Sequence, residues 1–249
     1  MSRRQPPPRV RMFAGPNGSG KTTVQREIAQ LFPAQFLGVL INPDDLEATI
    51  GRTGRLDLGR FGVGASEREV HDIFTSSAFL KQHLLADAAT VLRCDGRLID
   101  FSGLAMNSYY ASVLADFLRR KLLAGLTSFS FETVMSDGGK VDLLREAKAL
   151  GFRTYLYYVA TEDPEINISR VALRVSQGGH DVPREKIISR YHRSLALVRD
   201  AIRHTDRAYF FDTSEPESLF VAEGVDGKRP ELQCDAMPNW FKTFSWGKF

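Results

Sequence analysis

Val10-Arg11-Met12-Phe13-Ala14-Gly15-Pro16-Asn17-Gly18-Ser19-Gly20-Lys21-Thr22 is the stretch on which the fold turns. Val10 to Ala14 is mostly apolar, ends in a glycine and reads as a short buried strand. Gly15 to Thr22 then fits the pattern G-x-x-x-x-G-K-S/T. In such a loop the glycines let the backbone turn until successive N–H groups face one concavity. A helix beginning after Gly20 adds the positive end of its dipole. Val24, Ile28, Ala29 and Leu31 follow at helical spacing, with Pro33 just beyond. Strand, glycine loop and helix in this order predict a P-loop. Gly15, Pro16, Asn17, Gly18, Ser19, Gly20, Lys21, Thr22 and Thr23 are then expected to hold the phosphates of ATP. Lys21 would reach the β- and γ-phosphates, and the Thr22 hydroxyl would ligate Mg²⁺.

Outward from the loop, strand and helix patterns alternate. Phe36 to Ile41 reads as a second strand stopped by Asn42-Pro43, and a helix near Asp44 carries acidic residues in its first turn. Residues 51–66 are rich in glycine and arginine and read as a loop. Helical spacing resumes over about 67–89, Leu98 to Phe101 reads as a short strand, and 107–123 as an amphipathic helix with Gly125 as its stop. Ser128 to Thr133 and Arg153 to Ala160 read as strands, with a helix over 141–150 between them. Pro164 opens a helix, Gly178-Gly179 breaks it, Pro183 opens a long helix to about His204, and Ala208 to Asp212 is a strand. The end of the chain, with both tryptophans, reads as a hairpin and a tail. The fold class expected is α/β: a three-layer P-loop NTPase with a mostly parallel central sheet and helical insertions. The organisation expected is a flexible tail over 1–8 and one domain over 9–249 with an insertion at about 50–125.

The 249 residues are 43% hydrophobic and 25% charged, values of a globular chain rather than a disordered one. No apolar run reaches the length of a membrane span, and prolines at 6–8 stand where a signal peptide would be apolar. Two distant cysteines, Cys94 and Cys234, point to a reduced, cytoplasmic protein. The net charge of +3 is too small to argue for nucleic-acid binding. Arginines cluster between Arg170 and Arg207, where guanidinium forks suit phosphate oxygens, or simply a solvated helix face.

A P-loop alone does not separate ATPases, GTPases and kinases. The base-reading Asn-Lys-x-Asp of GTPases and the Leu-Ser-Gly-Gly of transporter ATPases are absent. The nearest candidates for a Walker B strand end are Leu98-Ile99-Asp100 and Phe129-Ser130-Phe131-Glu132.

Ile41 to Leu46, Phe131 to Ser136, Gly178-Gly179-His180-Asp181-Val182-Pro183 and Arg190 to Leu195 follow the P-loop in order. Together they resemble the zeta-toxin-like family of P-loop kinases, including its predicted ABC-type ATPase branch, over most of residues 10–228. That resemblance implies an ATP- and Mg²⁺-dependent kinase acting on a nucleotide sugar such as UDP-N-acetylglucosamine, or on a nucleotide. It implies Asp44 as the catalytic carboxylate, with Asp45 beside it. A carboxylate at a strand end near the loop suits proton removal from a hydroxyl, whereas Asp44 could instead cap a helix after Pro43. The resemblance also implies Glu132 and Thr133 at the substrate and magnesium shell, and phosphate-clamping arginines among Arg170, Arg174 and Arg184. Arg190 and Arg193 lie three apart on the next helix and could also point inward. His180 is a further substrate-side candidate. A partner antitoxin follows from the same resemblance, whereas membrane and nucleic-acid partners do not. The alternative is a nucleotide-binding ATPase working on nucleic acid or with a protein partner, which only the arginine cluster favours.

Overall fold

The run Arg153-Thr154-Tyr155-Leu156-Tyr157-Tyr158-Val159-Ala160 is rich in aromatic and β-branched residues, and it forms an eight-residue strand buried over most of its length. The computed structural model that contains it describes residues 6–179 and 181–248. The strands are β1 (Arg9–Ala14), β2 (Val39–Ile41), β3 (Arg55–Asp57), β4 (Ala65–Ser66), β5 (Arg93–Gly96), β6 (Leu98–Asp100), β7 (Phe129–Thr133), β8 (Arg153–Ala160), β9 (Arg207–Asp212), β10 (Leu219–Val225) and β11 (Glu231–Leu232). The helices are α1 (Lys21–Leu31), α2 (Pro43–Thr53), α3 (Glu67–Ser76), α4 (Ala78–Gln82), α5 (Ser108–Ala124), α6 (Gly139–Ala149), α7 (Pro164–Ser176), α8 (Arg184–Arg203) and α9 (Asn239–Phe244). The chain divides into two compact units, residues 1–38 with 130–249, and residues 39–129. The insertion expected at about 50–125 lies inside the second. Residues 1–5 of the expected tail, and His180, lie outside the described residues.

In the first unit the strand order is β11-β10-β9-β8-β1-β7. β8 runs parallel to β1 and to β9, with Ala14 opposite Tyr158 and Ala160 opposite Asp212. β10 runs antiparallel to both β9 and β11 at the edge. The architecture is therefore α/β with a mostly parallel central sheet. From β1 the chain reaches β7 on one flank and β8 on the other, which opens a crevice at the carboxyl end of β1. Period-two alternation sends Phe13, Tyr157 and Val159 to one face, where Val24 and Ile28 of α1 cover them. On the other face the Tyr158 hydroxyl shares a buried hydrogen bond with Ser194 of α8 at 2.9 Å, and its ring lies near Trp240 of α9. Burial holds the Tyr158 phenol well above its ordinary pKa. Arg11 interrupts the apolar β1 run yet is only 1% exposed. Its guanidinium stacks 4.0 Å from the Phe36 ring, and desolvation lowers its pKa.

The second strand is only Val39–Ile41, because Ala34–Phe36 forms a single 3₁₀ turn and Gly38 takes φ 65°. The C-terminal tail contains the short helix α9, whose Trp240 and Phe241 are 2% and 0% exposed. Pro183 is the cap before α8 rather than a first-turn residue.

The second unit carries a four-stranded antiparallel sheet, β3-β6-β5-β4. Residues 51–66 are therefore not a loop: α2 continues to Thr53, Gly54 ends it at φ 67°, and β3 and β4 follow. The helical stretch over 67–89 is also broken. Ser77 is extended at ψ 112°, ends α3 and caps α4 by accepting from the Leu80 N–H. The long helix α5 starts on Asn107, whose side chain accepts from the N–H groups of Tyr109 and Tyr110.

Candidate functional site

The P-loop takes the shape its glycines allow. Gly15, Gly18 and Gly20 have φ of 146°, 75° and 78°, conformations that L side chains rarely adopt. Packing adds a second constraint at two of them. A Cβ on Gly15 would meet the Val159 carbonyl at 1.9 Å, and one on Gly18 the Asn167 carbonyl at 2.6 Å. The loop is tied to its neighbours by the Gly15 N–H donating to Thr133 O at 3.2 Å and by Ser19 N–H to Pro16 O at 3.3 Å.

Gly20 is the N-cap of α1 and has no side chain to satisfy the first-turn N–H groups. An anion seated there meets both those donors and the dipole. Lys21 folds back across the loop and donates from Nζ to Gly15 O at 2.9 Å and Pro16 O at 2.8 Å. Its charge is thus held over the loop rather than out in solvent. The Ser19 hydroxyl is fully buried in the loop and has no hydrogen-bond partner among the described residues. These features fit a polyphosphate. Thr22 Oγ1 donates to Glu132 Oε2 at 3.0 Å, so the hydroxyl and carboxylate expected near magnesium stand together. Among the described residues no cluster of three or more His, Cys, Asp or Glu side chains could hold a metal by itself. The donor set fits an ion that shares the Thr22 hydroxyl with phosphate and water.

The far wall of the loop comes from residues that carry no motif. Asn167 of α7, fully buried, donates from Nδ2 to Asn17 O at 2.6 Å and accepts from the Thr161 hydroxyl. Thr213, just past β9, donates its N–H to Ala160 O at 3.0 Å and its hydroxyl to Ser19 O at 2.9 Å. Neither belongs to a recognisable motif: the parallel β8–β9 pairing sets Thr213 beside the loop, and the start of α7 after β8 brings Asn167 there.

The arginines separate by partner. Arg170 donates to the Thr213 carbonyl at 2.5 Å and so faces the loop. Arg190 Nη1 lies 3.5 Å from Asn17 Oδ1. Arg174, one turn beyond Arg170, is exposed near the glycine break, with its carbonyl accepting from the Gly179 N–H. Arg184 forms a two-pronged ion pair with Glu165, with Nη1 to Oε2 at 2.9 Å. Arg193 is exposed and donates to Ser189 O of its own helix. Thr133 turns its hydroxyl to accept from the Met135 N–H at 3.0 Å.

Asp44 and Asp45 belong to the second unit, exposed in the first turn of α2. Helix capping does not occupy Asp44. Asn42 is the N-cap, and its side chain accepts from the Asp44 N–H at 3.0 Å. Pro43 sits at the first helical position, where no N–H is needed.

No protein-family model matches the chain. A 63-residue segment, 25% of the chain, is 32% identical to an uncharacterized protein of Haemophilus influenzae, of which it spans 45%. Solved structures agree over far more of the molecule. A chain of the AvrRxo1-ORF1:AvrRxo1-ORF2 crystal structure with sulphate ions matches 97% of this chain with TM-score 0.55 and 17% identity. The corresponding complex with ATP matches with the same score and identity. A chain from the PezAT chromosomal toxin-antitoxin system of Streptococcus pneumoniae matches 100% of this chain with TM-score 0.53 and 12% identity. The fold is shared with these proteins. This chain spans 65% and 64% of the two AvrRxo1 complex chains, and 82% of the PezAT chain. Among the described residues no helix is long and apolar enough to cross a membrane.

Proposed function

We propose that this chain is an ATP-dependent kinase of the zeta-toxin type, moving the γ-phosphate of ATP to a hydroxyl of a small acceptor. The observation that carries the reading is the loop itself: the Lys21 ammonium held across its mouth, with Thr22 and Glu132 side by side at its edge. A neighbour of the same fold crystallised with ATP supports the choice of nucleotide.

In this reading loop N–H groups and the start of α1 bind the phosphates. Lys21 exchanges its contacts with the Gly15 and Pro16 carbonyls for phosphate oxygens. Thr22, with Glu132 behind it, holds Mg²⁺, which screens the β- and γ-phosphate charge when bound. Asp44 accepts the proton of the acceptor hydroxyl as its oxygen attacks the γ-phosphorus. The bond from that phosphorus to the bridging oxygen breaks, and ADP leaves with the electron pair. Arg170, Arg174 and Arg190 stabilise the migrating charge. Arg184 would join them only after leaving Glu165. The acceptor class proposed is a nucleotide sugar such as UDP-N-acetylglucosamine, or a nucleotide. That Arg170 and Arg190 turn toward the loop supports a small-molecule role over a nucleic-acid one. A second, antitoxin protein that keeps the kinase silent is part of the proposal, because one neighbour comes from a toxin-antitoxin system.

The test is incubation with γ-labelled ATP, Mg²⁺ and a panel of nucleotide sugars and nucleotides. Label should reach one acceptor. Asp44→Ala should abolish that product while ATP still binds, and Lys21→Ala should abolish both. Release of labelled phosphate to water alone, with no acceptor labelled, would overturn the kinase reading.

A further inference from the structure

The first turn of α9 meets two carboxylates, Asp212 at the end of β9 and Glu162 in the loop after β8. The Trp240 indole N–H donates to Asp212 Oδ2 at 2.7 Å, with Asp212 only 6% exposed. The other oxygen, Asp212 Oδ1, accepts from the Ser214 N–H at 2.8 Å. Asp212 therefore clamps the turn that contains Thr213. That threonine in turn bonds Ser19 O, receives Arg170 and sits 3.6 Å from where a Cβ on Gly20 would lie. One residue earlier in α9, the Asn239 N–H donates to the Glu162 carboxylate at 2.8 Å. Glu162 follows Thr161, the residue that holds Asn167 against Asn17. The Glu162 N–H also donates to the Ser214 hydroxyl at 2.8 Å, which joins the two loops.

Apolar packing alone would dock α9, since Phe241 is fully buried against Phe210 with ring centroids 5.0 Å apart. It does not require a buried indole N–H aimed at a buried carboxylate. That bond is directional and charge-assisted. Its effect is to fix the end of β9 and hence Thr213.

We propose that Trp240 is a positioning residue for the phosphate loop, acting through Asp212 and Thr213, so that the C-terminal helix sets nucleotide affinity. The inference rests on the reading of Gly15–Thr22 as an ATP site. Removing the indole N–H lets the Asp212 carboxylate turn away and frees Thr213 from Ser19. The loop then exchanges among conformations and binds phosphate less often.

The experiment compares Trp240→Phe with Phe241→Leu in the full chain. Both reduce apolar packing of α9, but only the first removes the bond to Asp212. Three quantities are measured: the melting temperature without nucleotide, the Kd for ATP with Mg²⁺, and amide hydrogen exchange over Gly18–Thr22. Trp240→Phe is expected to speed exchange in the loop and to weaken ATP binding about five- to tenfold, less than the roughly tenfold to hundredfold scale of one lost hydrogen bond to a charged group because the effect reaches the loop only through Thr213. Phe241→Leu should lower the melting temperature at least as much and leave the Kd and loop exchange near wild type. Equal losses of affinity in both variants, or unchanged affinity and exchange in Trp240→Phe, would overturn the inference while leaving the ATP site standing. Wild-type protein that binds no ATP would instead bring down the reading beneath it, and the inference with it.

Discussion

At Gly18, as at Gly15, two costs coincide. Its φ of 75° disfavours any side chain, and the Asn167 carbonyl fills the space a Cβ would need. Gly62 has nearly the same φ, 70°, but nothing within 4 Å. Gly62→Ala should therefore cost about 1–2 kcal/mol from conformation alone. Gly18→Ala should cost about 1–3 kcal/mol beyond that, because loop or Asn167 must move. Urea unfolding of the two variants measures the difference, and equal losses would mean that Asn167 yields freely. Thr22 and Glu132 make a second comparison. Thr22→Val keeps the shape of the side chain and removes the hydroxyl that donates to Glu132. It should raise the Mg²⁺ concentration needed for half-maximal ATP binding by about tenfold, the loss of one ligand and one hydrogen bond. An unchanged Mg²⁺ requirement would remove Thr22 from the metal shell.

Among the elements, α3 depends most on protonation. Ser66 and Glu69 form a reciprocal capping box: the Glu69 N–H donates to Ser66 Oγ at 3.2 Å, and the Ser66 N–H to Glu69 Oε2 at 2.8 Å. That backbone bond, followed by Lys121 of α5, holds the Glu69 carboxyl down at about 2 against an ordinary 4.5. A depressed carboxyl stabilises the fold above its unfolded value and loses that contribution as pH falls through the folded one. The Glu69 contribution should be whole above about pH 4.5 and gone near pH 2, a window that Glu69→Gln should flatten in acid unfolding followed by circular dichroism. Ser66→Ala should cost about 1 kcal/mol at neutral pH. This box lies in the 51–66 stretch and its continuation, which the sequence pattern does not resolve. Its strands are two or three residues long, too short for alternation to declare itself, and its glycines look like loop. Long periodic elements were legible: β8 lies over Arg153–Ala160 as expected, and α5 and α7 lie within a residue or two of expectation. So was the loop from Gly15 to Thr22, where spacing itself states the geometry. Asn167, Thr213 and Trp240 were not legible, because a single polar or aromatic residue acquires its partner only through the tertiary placement of its strand or helix.

For the molecule as a whole, a ligand that binds the native loop must raise the melting temperature. ATP at a hundred times its Kd adds about 2.7 kcal/mol. In a chain of this size that corresponds to roughly 5–10 °C. Scanning calorimetry should show this shift with ATP and Mg²⁺ and lose it in Lys21→Ala. A shift of the same size in the variant would place the nucleotide elsewhere. The two cysteines of the chain happen to be divided between the compact units, Cys234 in the first and Cys94 in the second. Both thiols are half-buried, and desolvation raises their pKa, so they should take up maleimide dyes slowly and mildly alkaline buffer should speed the reaction. The native sequence therefore carries one attachment point for a fluorophore in each unit. Without any added cysteine, a dye on each thiol can follow its own unit separately.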